Sequence, residues 1–117
     1  MYTILYAEDN DSNYLLMSFI LKDGYKLLRA GNGKEAVEMV NTGNVDLILM
    51  DIKMPVMDGL QATGLIRETN PDIPIIAVTA NGYETDNDTV IAAGCSEFIS
   101  KPVFPNVIRA CIKKYLP

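Results

Sequence analysis

Two runs of this 117-residue chain, 45–50 (VDLILM) and 73–78 (IPIIAV), are apolar at nearly every position. Six residues are too few for an ordinary helix, and without polar alternation neither run keeps a face for water. A strand of that kind is covered on both sides, as in the middle of a parallel sheet.

The rest of the chain supplies the cover. Residues 3–7 and 25–30 read as strands, and 97–100 as a short last one. A first helix starts at Asn10 or Asp11, either of which can accept from its free N–H groups, and runs to about residue 23. Gly24 is placed to end it in a left-handed conformation. The turn Gly31-Asn32-Gly33 leads into 34–41, where Ala36, Val37 and Val40 share one face before Gly43. Further helices are expected over 60–69 and within 83–93, the latter stopping at Gly94. Pro105 opens the last helix, where its missing N–H costs nothing. There Val107, Ile108, Cys111, Ile112, Tyr115 and Leu116 form one stripe expected to be buried. Residues 85–89 (TDNDT) are poor helix formers, so the fourth helix is expected to start late or fray. Gly64 stands mid-helix at a cost of about 1 kcal/mol against alanine, and close packing would account for it.

Five strands and five helices in strict alternation imply an α/β fold. The expected form is a doubly wound, flavodoxin-like, five-stranded parallel sheet of order 2-1-3-4-5, with helices on both faces, in one domain over 1–117. The net charge of −5 lacks the basic footprint of a nucleic-acid binder. No run reaches membrane-spanning length, and the start lacks a signal-peptide pattern. The two cysteines, Cys95 and Cys111, have no zinc-like spacing and read as reduced, partly buried thiols of a cytoplasmic protein. There is no histidine, which excludes histidine-based triads and metal sites. Neither common glycine-rich nucleotide loop occurs.

In such a sheet, sites form at the carboxyl ends of the strands near the point where the strand order reverses. The first strand ends in Glu8-Asp9 and the third in Asp51. The fourth ends in Thr79-Ala80 and the fifth in Ser100-Lys101-Pro102. Three carboxylates converging there repel by about 4 kcal/mol per close pair at 4 Å and an effective dielectric near 20. One lysine cannot balance them, and all-oxygen ligands favour Mg²⁺, with Mn²⁺ as an alternative. Asp58, by contrast, reads as a turn and helix start before Gly59.

These residues resemble the receiver domain of two-component response regulators over the whole chain. The likeness rests on AEDN (7–10), DLILMDIKMPVMDG (46–59), PIIAVTAN (74–81), AAGCSEFISKP (92–102) and the amphipathic last helix. The wording is most like receivers attached to hybrid histidine kinases. The resemblance implies a phosphorelay module rather than an enzyme, acting only on its own phosphorylation and dephosphorylation. Asp51 would accept the phosphoryl group; Asp9 and Asp51 would bind Mg²⁺ through their side chains, Glu8 would help through water, and the Lys53 backbone carbonyl would be a further ligand. Thr79 and Lys101 would bind the phosphoryl group, with donors from the backbone N–H groups of Lys53 and Ala80. Thr79 and Phe98 would form the switch, and the Lys101-Pro102 bond would be cis. The implied partner is a histidine kinase or a histidine-phosphotransfer domain, in trans or through fusion to a hybrid kinase, and phosphorylation-dependent dimers occur in the family.

Two other functions compete with this one. A haloacid-dehalogenase-like phosphatase also uses an aspartate, Mg²⁺, a hydroxyl and a lysine, but needs an acid two positions after the nucleophile, where Lys53 stands. A degenerate receiver acting only as an interaction module would lack site residues that are all present. On the first helix, Leu15, Leu16, Phe19 and Ile20 make one apolar face, and Tyr14, Met17 and Leu21 a second stripe. A surface helix needs one such face. The second stripe is therefore expected to serve partner docking in part.

Overall fold

The computed structural model describes residues 1–79 and 87–117. Its elements run β1 (Tyr2–Ala7), α1 (Asp11–Leu21), β2 (Tyr25–Ala30), α2 (Gly33–Thr42), β3 (Leu47–Asp51), α3 (Gly59–Thr69), β4 (Ile75–Thr79), α4 (Asn87–Ala93), β5 (Glu97–Ser100) and α5 (Pro105–Tyr115). The strands form one parallel sheet of order β2-β1-β3-β4-β5, the expected doubly wound arrangement.

Every residue of β3 and β4 is buried, as their unbroken apolar character requires. Alternate residues feed opposite cores, because successive side chains of a strand point to opposite faces. Leu5, Ala7, Ile48, Met50, Ile75 and Ala77 pack with α2, α3 and α4 residues such as Ala36, Ile66 and Val90. Ile4, Tyr6, Leu47, Leu49, Ile76 and Val78 pack with Met17, Ile20 and Leu21 of α1 and Ile108 and Ile112 of α5.

Capping fixes where the helices begin. Asn10 accepts from the Asn13 N–H at 2.9 Å. Asp58 closes a reciprocal pair with Gln61: its Oδ1 accepts from the Gln61 N–H at 2.8 Å, and its own N–H donates to Gln61 Oε1 at 3.3 Å. Pro105 stands in the first turn of α5.

Several local expectations are corrected. α1 ends at Leu21, not near residue 23, and Gly24 is not in the left-handed region; Gly94, with φ 114°, is. Helix α1 also turns the other way about its axis. Met17, Ile20 and Leu21 are buried, while Leu15, Leu16 and Phe19 are 58%, 53% and 61% exposed. The stripe expected to serve docking is therefore mostly core. Both stripes satisfied helical spacing, so the spacing alone did not decide which of them met the sheet. On α5, Val107 is exposed while its stripe-mates Ile108, Cys111 and Ile112 are buried. Nothing lies within 4 Å of where a Gly64 side chain would start, so close packing does not explain that glycine. The described part of α4 begins at Asn87; the expectation for residues 83–86 lies outside the described residues.

Candidate functional site

Ala7 of β1 stands opposite Met50 of β3. Glu8, one step past β1, and Asp51, at the end of β3, therefore reach the carboxyl edge side by side. Glu8, Asp9 and Asp51 each offer a carboxylate oxygen lying within 4.8 Å of the other two. Glu8 and Asp51 are buried, and Asp9 is exposed.

Lys101, just past β5, reaches the same point. Its Nζ lies 2.9 Å from Glu8 Oε1 and 3.6 Å from Asp51 Oδ2. Its N–H donates to the Thr79 carbonyl at 2.6 Å, tying the ends of β4 and β5 together, and the Lys101-Pro102 bond is cis. The Lys53 N–H donates to Asp51 Oδ1 at 3.3 Å.

Strand parity sorts these groups. Asp51 continues the alternation of Leu47 and Leu49, and Glu8 that of Ile4 and Tyr6, so both belong to the α1/α5 face. Thr79 continues Ile75 and Ala77 toward the opposite face. There Phe98, paired with Ala77 and half-buried, packs against the core. By parity Glu8, Asp51 and Lys101 thus continue one side of the sheet, and Thr79 and Phe98 the other. Ala80 lies outside the described residues.

Electrostatics bind the acids into one unit. Burial alone would raise Glu8, but hydrogen bonding with Asp51 and Lys101 and the lysine charge outweigh it and hold Glu8 at about 2. Burial, then hydrogen bonding with Glu8 and the Glu8 charge, push Asp51 up to about 7, against the pull of Lys101 and the Lys53 N–H. Of the two, Asp51 is therefore the more readily protonated.

Two buried oxygens have no hydrogen-bond partner among the described residues: Glu8 Oε2 and Thr79 Oγ1. A buried polar atom left unpaired is costly, so each marks a place for an incoming group. An acidic cluster with an orphaned carboxylate oxygen, offset by one ammonium, fits a hard divalent cation such as Mg²⁺.

Around this cluster stand residues that the sequence reading did not single out. The Tyr6 hydroxyl donates to Glu8 Oε1 at 3.2 Å. Arg29 donates from Nε to the Glu8 carbonyl at 3.1 Å, pairs with Asp11 at 2.9 Å, and lies 4.9 Å from the centre of the Tyr14 ring. For Tyr6 the signal was present: on a strand, residues 6 and 8 face the same way.

Comparison with known proteins gives a consistent picture. A family profile described as "Response regulator receiver domain" matches residues 4–113. Hybrid signal transduction histidine kinase B of Dictyostelium discoideum is 40% identical over 97% of this chain, and the chain spans only 6% of that protein. The polar-differentiation response regulator DivK of Brucella anthropi is 35% identical, with 97% of this chain and 95% of the relative covered. Among solved structures, the receiver domain of the sensor histidine kinase PA1611 from Pseudomonas aeruginosa, with a magnesium ion coordinated in its active site cleft, superposes with a TM-score of 0.92. It is 31% identical and covers 98% of this chain and 97% of that one. The receiver domain of Saccharomyces cerevisiae Ssk1, crystallised with the histidine phosphotransfer protein Ypd1, gives a TM-score of 0.90 at 27% identity, covering 97% and 88%.

Proposed function

This chain belongs to the response regulator receiver domain family, and from that premise we propose that it takes a phosphoryl group from a partner's phosphohistidine onto Asp51 and changes conformation in response. The observation that supports the reading is the convergence of Glu8, Asp9, Asp51 and Lys101 at one rim, with Glu8 Oε2 there, and Thr79 Oγ1 at the end of the neighbouring strand, unpaired among the described residues.

In the proposed step an Asp51 carboxylate oxygen attacks phosphorus. The O–P bond forms as the P–N bond breaks, and the imidazole departs with the electron pair. Held by Glu8, Asp9, Asp51 and the Lys53 carbonyl, Mg²⁺ (or Mn²⁺) would supply charge neutralisation for the transferring oxygens. Lys101 already lies beside Asp51 Oδ2 and would bind the group by charge. The N–H groups of Lys53 and Ala80 would donate to it.

Thr79 Oγ1, unpaired among the described residues, then gains an acceptor. A hydroxyl drawn toward the phosphoryl group vacates space on the face it shares with Phe98, and the ring moves to fill it. Moving a two-state equilibrium from 1:99 to 99:1 takes about 5.5 kcal/mol of differential interaction; a few charge-assisted hydrogen bonds are of that order.

Leu15, Leu16 and Phe19 are the donor's landing surface in this proposal, taking over from the Tyr14, Met17 and Leu21 stripe that the fold buries. Of these, Leu16 lines a cleft of about 120 Å³ together with Met17, Lys101, Pro102 and Val103. The support is position: apolar surface next to the lysine of the site. The donor is a histidine kinase or histidine-phosphotransfer domain.

Intact mass after incubation with acetyl phosphate and Mg²⁺ tests the reading. The wild type should gain one phosphate and Asp51→Asn none. Equal labelling of both would overturn it. As a receiver rather than a phosphatase, the protein should not turn over a chromogenic phosphate ester.

A further inference from the structure

We infer that Tyr6 is a positioning residue for the cation site: its hydroxyl shares Glu8 Oε1 with Lys101, holds that carboxylate in one rotation, and leaves Oε2 as the oxygen available to the cation. This inference rests on the proposed function.

The ring itself is fixed. Tyr6 is buried in the core between the sheet and helices α1 and α5, and it stacks on Tyr14 with centroids 6.1 Å apart and planes 21° from parallel. A buried phenol needs a partner for its hydroxyl, and here that partner is Glu8 Oε1 at 3.2 Å. Lys101 takes the same oxygen at 2.9 Å. With two donors on Oε1, rotation of the carboxylate would break both bonds, while Oε2 remains buried and, among the described residues, unpaired.

The first acid of the pair is a glutamate, with one more rotatable bond than an aspartate. Extra freedom in a ligand side chain has to be removed before it can hold a cation at a fixed place. Tyr6 supplies that restraint from the strand residue two positions earlier, on the same face of β1. It also remains when Lys101 turns to the phosphoryl group, so Glu8 keeps a donor throughout. Partners of this kind typically change metal affinity 10- to 100-fold when removed.

The test is calorimetric titration with Mg²⁺ alone of the wild type, Tyr6→Phe, Glu8→Ala, the double variant and Asp51→Asn. Tyr6→Phe keeps the ring, and a thermal melt checks its fold. Its Mg²⁺ affinity should be about tenfold weaker, yet in the Glu8→Ala background the same change should alter affinity less than twofold. At saturating Mg²⁺, acetyl phosphate labelling of Tyr6→Phe should return to within about twofold of the wild type. An unchanged affinity, an equal loss in both backgrounds, or a rate that stays tenfold down at saturation would each overturn the inference. If the wild type binds Mg²⁺, Asp51→Asn loses it and Tyr6→Phe does not weaken it, this inference falls and the receiver reading stands. If the wild type does not bind Mg²⁺, both fall.

Discussion

At Asp51 the side chain that the proposed chemistry needs ionised sits where ionisation is disfavoured. Its pKa is raised from 3.8 to about 7, chiefly by burial and then by Glu8. A raised carboxylate contributes stability that is complete below the unfolded value and is lost as pH rises through the folded one. Glu8 behaves oppositely: lowered to about 2, it contributes stability above about 4.5 that disappears only as pH falls toward 2. Between pH 5 and 8, therefore, Asp51 alone changes, and this site should lose stability as pH rises. Asp51→Asn removes the repulsion. In metal-free melts it should be more stable than the wild type at pH 8, on the order of 1–2 kcal/mol, and the advantage should shrink at pH 5. Mg²⁺ requires the deprotonated acid, so it should raise the wild-type melting temperature more at pH 8 than at pH 5.5. A Mg²⁺ shift independent of pH would contradict the raised Asp51.

The elements were legible because their signals are local. Unbroken apolar runs gave β3 and β4, Asn10 and Asp58 marked helix starts, and Gly94 marked an end. What stayed hidden depends on distant backbone. Gly59 reads as an ordinary turn glycine, yet a Cβ there would collide with the Asp51 carbonyl oxygen, because α3 begins against the end of β3. Gly64 reads as a packing glycine, yet its side is open. The two substitutions to alanine should therefore diverge. Gly64→Ala should stabilise by about 1 kcal/mol, and Gly59→Ala should destabilise by about 2–3 kcal/mol by forcing α3 away from β3, both read from urea unfolding. Equal effects would mean that the contact between α3 and Asp51 is loose. The candidate acids and Lys101 were legible for a similar reason: each stands at a strand end, and topology does the gathering. Tyr6 was legible only in part: its parity with Glu8 could be read, but a tyrosine inside a strand reads as core until the hydroxyl's partner is located. The orientation of α1 was not legible, since both of its stripes were apolar.

Across the whole molecule, the two faces of the sheet divide the work. On the α1/α5 face lie Glu8, Asp51, Lys101 and the exposed Leu15, Leu16 and Phe19; on the other lie Thr79 and Phe98. Donor contact and response can then be separated by mutation. Leu16→Asp should slow transfer from a histidine-phosphotransfer donor by about tenfold or more, in the range of an interface hot spot, while small-molecule labelling by acetyl phosphate stays within about twofold of the wild type. Equal slowing of both would place Leu16 in the fold of the site rather than in docking. The tight seat of Gly59 against Asp51 bears on the same division. With main chain pressed directly behind the acceptor, the peptide cannot recoil when a bulky dianion lands on its carboxylate. The added volume and charge must then be taken up sideways, at the neighbouring strand ends. A stiff mounting at that point makes the arrival of a small group felt elsewhere.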